Sequence, residues 1–311
     1  MKQILLKRLV QFVMMMWSVG TITFILSRML PGDMAYRIAA GRYGDDAVSA
    51  AAASAVRQEL GLDNPLWQQY GHWLWQLLQL DLGDSLVSSN SIISELQHQL
   101  SYTLILAVAA LVISALIALP WGLACGFRAN SWFDRLSLLL STLLRSQPVF
   151  CLGLVLILLF ALMLNWFPVA GFQRPAHLFL PALTLALSLA ALSSRVIRNS
   201  TAKVINSEYY LFAKLKGLSP WHTFHRHGIR NISLPVVAFM AMQLVGLIEG
   251  VIMVESLFAW PGIGHGLSHA VFSRDIPMLQ GTALTCGALF VIINTLVDSA
   301  CYLLDPRSRI A

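Results

Sequence analysis

The chain has 311 residues, 57% of them hydrophobic and only 12% charged, about half the charged fraction of a soluble domain. Its apolar residues fall in runs near twenty rather than on one face, which excludes a large soluble α/β protein with its short buried strands. The net charge of +6 follows the loops of a membrane topology instead of forming a nucleic-acid surface.

The sequence opens MKQILLKRL and then runs apolar from about Leu9 to Leu30. That is longer than the apolar region of a signal peptide, and no small-residue cleavage site precedes Pro31-Gly32-Asp33, so a retained spanning helix is expected. Five further spans are expected at roughly 100–127, 136–164, 178–202, 232–254 and 278–304. Each is long enough to cross about 30 Å of hydrocarbon at about 1.5 Å per residue. Pro120 lies late in the second run and Pro148 breaks the third, kinks that neighbouring helices accommodate.

Basic residues set the orientation. With both termini cytoplasmic, that side holds Lys2, Lys7, Arg8, Arg128, Arg135, Arg195, Arg198, Lys203, Lys214, Lys216, Arg226, Arg230, Arg307 and Arg309. The outer side holds Arg28, Arg37, Arg42, Arg57, Arg174 and Arg274, most of them in one long segment. Short basic loops inside and an even number of spans agree. Cys125, Cys151, Cys286 and Cys301 lie in apolar runs without CxxC spacing and read as small buried residues.

Two regions lie outside the membrane. Residues 31–99 form a helical insertion on the outer face, following the N-terminal span 1–30. Asp45 and Asp46 are placed to cap a helix through the alanine-rich stretch to Leu60, Gly61 ends it, and Pro65 starts a second. The second carries Trp67, Tyr70, Trp73, Leu74 and Leu77 at three-and-four spacing, a stripe for packing on a neighbour or lying at the bilayer interface, with ligand binding as the alternative. Residues 100–311 form a five-helix core that contains a cytoplasmic loop, 203–231. The fold class expected is all-α: an integral membrane protein of six transmembrane helices with a small helical insertion.

The loop 203–231 reads EYYLFAKLKGLS from Glu208 to Ser219 and PWHTFHRHGIRNISLP to Pro235. Its first part predicts a short helix from Glu208 to Lys216, stopped by Gly217. Tyr209, Phe212, Ala213 and Lys216 are expected on one side as a small apolar and basic face. Two uses stay open: docking into a groove on a soluble protein, or resting on lipid headgroups.

The Glu208…Ala213…Gly217 pattern, with Arg230-Asn231 and Pro235 downstream, resembles the EAA loop of binding-protein-dependent ABC importer permeases. Leu30-Pro31-Gly32-Asp33, the stretch ELGLDNPLWQQYGHWLWQLLQLDLGDS from Glu59 to Ser85, ESLFAWPGIG from Glu255 to Gly264 with Arg274-Asp275 and Pro277, and Asn294…Asp298…LDPRSR resemble the dipeptide, oligopeptide and nickel branch of that family. The resemblance implies a MetI-like permease fold in a bacterial inner membrane, with the insertion periplasmic. It implies that Glu208, Tyr209, Phe212, Ala213, Lys216 and Gly217 form a coupling helix seated on a cytoplasmic ATPase. It also implies a second homologous permease, two ATP-binding subunits that use ATP and Mg, and an external substrate-binding protein. The chain has no GxxxxGK[ST] loop of its own, so no enzymatic activity, bound cofactor or nucleic-acid partner is expected.

Several residues are candidates for the pathway. Trp260, in a segment that proline and glycine turn out of the helix, caps the outer mouth or belongs to an ordinary loop. Arg145 and Glu249 stand where the family usually has small or apolar residues. A charge at the centre of a span costs roughly 2.5–3.5 kcal/mol, so each needs a partner or a wet cavity. They either pair structurally, with Arg145 alternatively reaching the cytoplasmic interface, or line the path, where Arg145 would favour cargo carrying carboxylates. Asp298 matches the family and is expected to hold helices together. His222, His225 and His227, and the i,i+4 pair His265 and His269, are weak metal candidates. In the QYGHWLW stretch and FAWPGIGHG the chain looks closest to the nickel-type permeases, a resemblance that implies nickel or a metal–chelator complex as cargo, with di- or oligopeptides as the alternative. A self-contained secondary transporter would need more spans, and an intramembrane enzyme a catalytic constellation that is not evident.

Overall fold

A computed structural model describes residues 2–29, 32–43, 49–59, 61, 63–273 and 275–304. Among them the chain is almost wholly helical, with one isolated bridge between Asp84 and Ser91. The helices are α1 (Lys2–Met29), α2 (Met34–Tyr43), α3 (Ala50–Glu59), α4 (Leu66–Leu78), α5 (Ile92–Phe127), α6 (Trp132–Ser146) and α7 (Val149–Leu156, continued as a π-helix Ile157–Met163). They continue as α8 (Ala176–Ile205), α9 (Glu208–Leu215), α10 (Pro220–Thr223, followed by a π-turn Phe224–Gly228), α11 (Ile229–Leu257), α12 (Ile263–Ser273) and α13 (Ile276–Leu304).

Among the described residues, α1 from Arg8 to Met29, α5, α8 and α13 from Ile276 to Ser299 are long and apolar enough to cross a membrane. The 29 residues of α11 give it about 43 Å, also long enough. The third expected span is not a straight crossing. α6 and α7 meet at 104°, and each arm, about 22 Å long, falls short of the hydrocarbon thickness. The cause is local. Pro148 forces the residue before it out of the helical region, and Gln147 sits at φ −91°, ψ 139°. Pro120, Pro181 and Pro235 stay inside continuous helices.

The chain divides into two compact units. The first comprises Met1–Thr103 and Pro261–Ile292. Here α2 and α3 pair through Ala35, Ile38, Ala39 and Val56, joined by Leu86. Asp33 begins α2 by accepting from the Ala35 N–H at 3.0 Å. The cap of α3 is Ser49, whose Oγ accepts from the Ala52 N–H, while Asp45 and Asp46 lie outside the described residues. Ion pairs Arg42–Glu59 (2.8 Å) and Arg57–Asp33 (2.5 Å) tie the two helices. The buried Asp275 accepts from Ser85 Oγ at 2.5 Å and from the N–H groups of Leu86 and Met278. It thereby caps α13 and holds the loop after α4 against it.

The second unit comprises Leu104–Trp260 and Ile293–Ala311, with α8 packed against α6, α7 and α11. On α5, Gly122 and Gly126 lie against Ile197 and Thr201 of α8. A Cβ at either would sit 2.7 or 2.5 Å from those side chains, so only glycine allows this approach. At the start of α6 the buried Asp134 pairs with Arg198 and, at 3.1 Å, with Arg195, both on α8. The two arginines, read from sequence only as topology charges, are structural here.

Candidate functional site

An exposed apolar surface lies on and beside α9, in the loop between α8 and α11. Ser207 precedes α9 in extended conformation, and Gly217 at φ 85° provides the left-handed stop. The expected short helix is therefore present. Its faces differ from the expectation in one respect. Ala213 turns inward and is buried, together with Tyr210, while Tyr209, Phe212 and Lys216 face outward. Tyr210 belongs to a buried cluster with Ala118 of α5, Ile197 and Val204 of α8, and Ile232 and Val236 of α11. The outward side carries Tyr209 (45% exposed), Phe212 (59%) and Leu215 (86%), with Lys216 Nζ 4.7 Å from the Phe212 ring centre. Trp221 adds a further exposed ring. Leu215 and Trp221 were not singled out from sequence. Their mark is only an apolar residue in a polar loop, which burial elsewhere in the fold could equally have explained.

Arg145 ends α6 at the proline break and is exposed. It borders a cleft of about 490 Å³ walled by Pro148, Ser188, Leu189, Phe239, Met242, Gln243, Gly246 and Met253. Gln243 is fixed there, accepting from Ser193 Oγ at 2.6 Å and donating to the Leu189 carbonyl. The side chain of Glu249 lies outside the described residues. Asp298 is exposed on α13. Trp260 is buried. Its N–H reaches back to the Glu255 carbonyl at 2.9 Å and Ala259 takes the left-handed conformation at φ 48°, a Schellman-type end to α11. Glu255, read from sequence only as the start of a motif, is fully buried.

His265 and His269 bring their Nε2 atoms within 3.2 Å on a second cavity of about 490 Å³, which Glu95, His98, Gln99 and Ser273 also line. Burial, and then the neighbouring His269, lower the basicity of His265. The contact is a hydrogen bond whose direction depends on the ring tautomers. Among the described residues no group of three or more metal-ligating side chains forms, neither here nor at His222, His225 and His227.

Spanning helices, a rigidly mounted apolar helix in the loop between two of them, and a cleft with a single arginine at its edge define a class: the membrane permease of a transport system. A family model described as "Binding-protein-dependent transport system inner membrane component" matches residues 118–310. The corresponding N-terminal model matches residues 1–107. The glutathione transport system permease protein GsiC of Escherichia coli K12 is 35% identical over 304 residues, covering 98% of each chain. GsiC of Salmonella typhimurium is 36% identical over the same length and coverage. A putative peptide transport system permease protein of Brucella abortus is 36% identical over 317 residues, 99% of each chain. The chain belongs to the binding-protein-dependent transport system inner membrane component family, as an ABC importer permease of the dipeptide and oligopeptide group with the MetI-like fold.

Proposed function

We propose that this permease imports a small peptide-like solute bearing carboxylates, and that α9 receives the stroke of a cytoplasmic ATPase. The observation that carries the reading is the division of α9 into two faces. Tyr209, Phe212 and Leu215 stand outward, apolar and unburied, as a helix seated in a partner's groove requires. Tyr210 and Ala213 are locked into the bundle, so a pull on α9 passes to α8 and α11. Those helices carry Ser188, Leu189, Gln243 and Gly246, which wall the cleft beside Arg145. On this reading Arg145 lines the pathway and attracts cargo carboxylates, Glu249 and Trp260 belong to the pathway wall and its mouth, and Asp298 holds helices together.

The excess of basic residues in the short loops supports an orientation with both termini in the cytoplasm and the insertion outside. A second homologous permease completes the pathway, two ATPase subunits bind ATP and Mg, and an external binding protein delivers the cargo. The relatives bear glutathione and peptide names, so the expectation of nickel or a metal chelate finds no support and the peptide alternative replaces it. Proteoliposomes containing the assembled importer test this. ATP-dependent uptake of labelled glutathione or dipeptide, weakened at least about tenfold by Arg145→Ala, is expected, an effect near 1.4 kcal/mol. Uptake of nickel alone, or transport by this chain without an ATPase, would overturn it.

A further inference from the structure

We infer that α4 is a membrane-seated helix, with Leu66, Trp67, Trp75 and Leu78 against lipid, rather than a water-exposed part of the insertion. The depth of α4 follows from what it touches. The spanning stretch of α1, Arg8–Met29, is about 33 Å long, close to the hydrocarbon thickness. Met29 therefore lies near one membrane surface. Gln69 of α4 accepts from Arg28 just beneath that end. Tyr70 and Trp73 reach further down. The Tyr70 hydroxyl is 2.9 Å from Thr21 Oγ1, and both rings pack on Phe24, with centroids 5.1 and 5.6 Å away. The indole of Trp73 lies so close over Gly20 that a Cβ there would meet it at 2.6 Å.

From Met29 back to Gly20 is about 13 Å of helix. α13 supplies an independent ruler, because Leu284 Cδ2 is 3.5 Å from the same point, about 12 Å along its own helix from Ile276. Two spans thus agree that Trp73 reaches well below the membrane surface, and α4 is fastened at that level.

The outer side of α4 fits that depth. Leu66, Trp67, Trp75 and Leu78 are 61–72% exposed. Gln68, Gln69, His72 and Gln76 instead border a cavity of about 470 Å³ with Arg28 and Gln280. The apolar arc is wider than α1 covers, and the polar arc is gathered on the one side that faces this cavity. That is how a helix lying in a bilayer interface divides its surface, with tryptophan at the boundary. The lipid around α1 is continuous with this face, which makes lipid its occupant, in the outer leaflet on the orientation proposed above.

The test uses the full chain in its assembled importer, in nanodiscs of phosphatidylethanolamine and phosphatidylglycerol. With Cys125, Cys151, Cys286 and Cys301 replaced by alanine, Leu78→Cys is expected to resist a membrane-impermeant maleimide that labels Ser54→Cys on α3. The protection should be the same with and without the substrate-binding protein. Labelling of Leu78→Cys equal to that of Ser54→Cys, or protection only when the binding protein is present, would overturn the inference. A second measurement avoids new cysteines. Brominated lipids should quench less of the tryptophan emission in the Trp67→Phe/Trp75→Phe variant than in the parent, and unchanged quenching would contradict lipid contact.

Discussion

Asp134 and Asp275 are both buried carboxylates at the start of a helix, one in each compact unit, and they are satisfied in opposite ways. Asp134 is neutralised by two arginines of α8, Arg195 and Arg198, and also accepts from the Asn130 N–H at 2.9 Å. Asp275 has a hydroxyl and two backbone N–H groups as its neutral donors. In the first case the charge matters, because removing it strands two guanidinium groups against a packed helix. In the second the acceptor geometry matters more than the charge, as at any N-cap. The second unit, which carries α9, is thus joined by an ionic clasp. The first is joined by a hydrogen-bonded knot between its insertion and α13.

The contrast can be broken most directly at Asp134. Asp134→Ala is expected to cost about 3 kcal/mol, and Asp134→Asn nearly as much, read as the unfolding midpoint of the purified protein in detergent. Adding Arg195→Gln and Arg198→Gln should recover part of the loss. Full stability of Asp134→Asn would show that charge is not what joins α6 to α8.

At Asp275 the two substitutions should separate. Asp275→Ala is expected to cost about 2 kcal/mol, while Asp275→Asn, which keeps an oxygen for the Leu86 and Met278 N–H groups, should cost less than about 1 kcal/mol. Equal losses in the same unfolding assay would erase the difference between the two sites.

Acid should act on the insertion in a smaller, graded way. The hydrogen-bonded guanidinium of Arg42 holds the Glu59 carboxyl below its usual range, opposed by a lesser burial effect. A depressed folded value means that the pair contributes above the unfolded value, about 4.5, and is lost as pH falls through the lower folded one. Amide protection factors in α2 and α3, corrected for the intrinsic pH dependence of exchange, should therefore fall below about pH 4.5, less so in Arg42→Gln. A change of the opposite sign is expected at Ala259. Ala259→Gly relieves a left-handed alanine and should stabilise by about 1 kcal/mol in the unfolding assay.

The sequence showed the spans because apolar runs are local, and it showed α9 because Gly217 stops a short helix visibly. What it missed depends on long-range contact. Asp134 is more than sixty residues from its arginines, so Arg195 and Arg198 passed as topology charges. Pro148 was visible as a break, but not the 104° turn, since three other prolines sit in unbroken helices. Spacing alone groups Ala213 with the outward residues, because helical periodicity does not say which side meets the bundle. That required Tyr210 to be seen in its cluster. The Asp275 motif was legible as a string, and its work at Ser85 only as geometry.

The central claim is that the outward side of α9 docks on an ATPase while its inward side moves the spans. Leu215, 86% exposed, tests it with the least risk to the fold. In proteoliposomes containing the assembled importer, Leu215→Asp should leave membrane insertion and the unfolding midpoint unchanged. It should release the ATPase on purification and reduce ATP-driven uptake at least about tenfold, or about 1.4 kcal/mol of coupling. Uptake and ATPase retention equal to the parent would contradict the account.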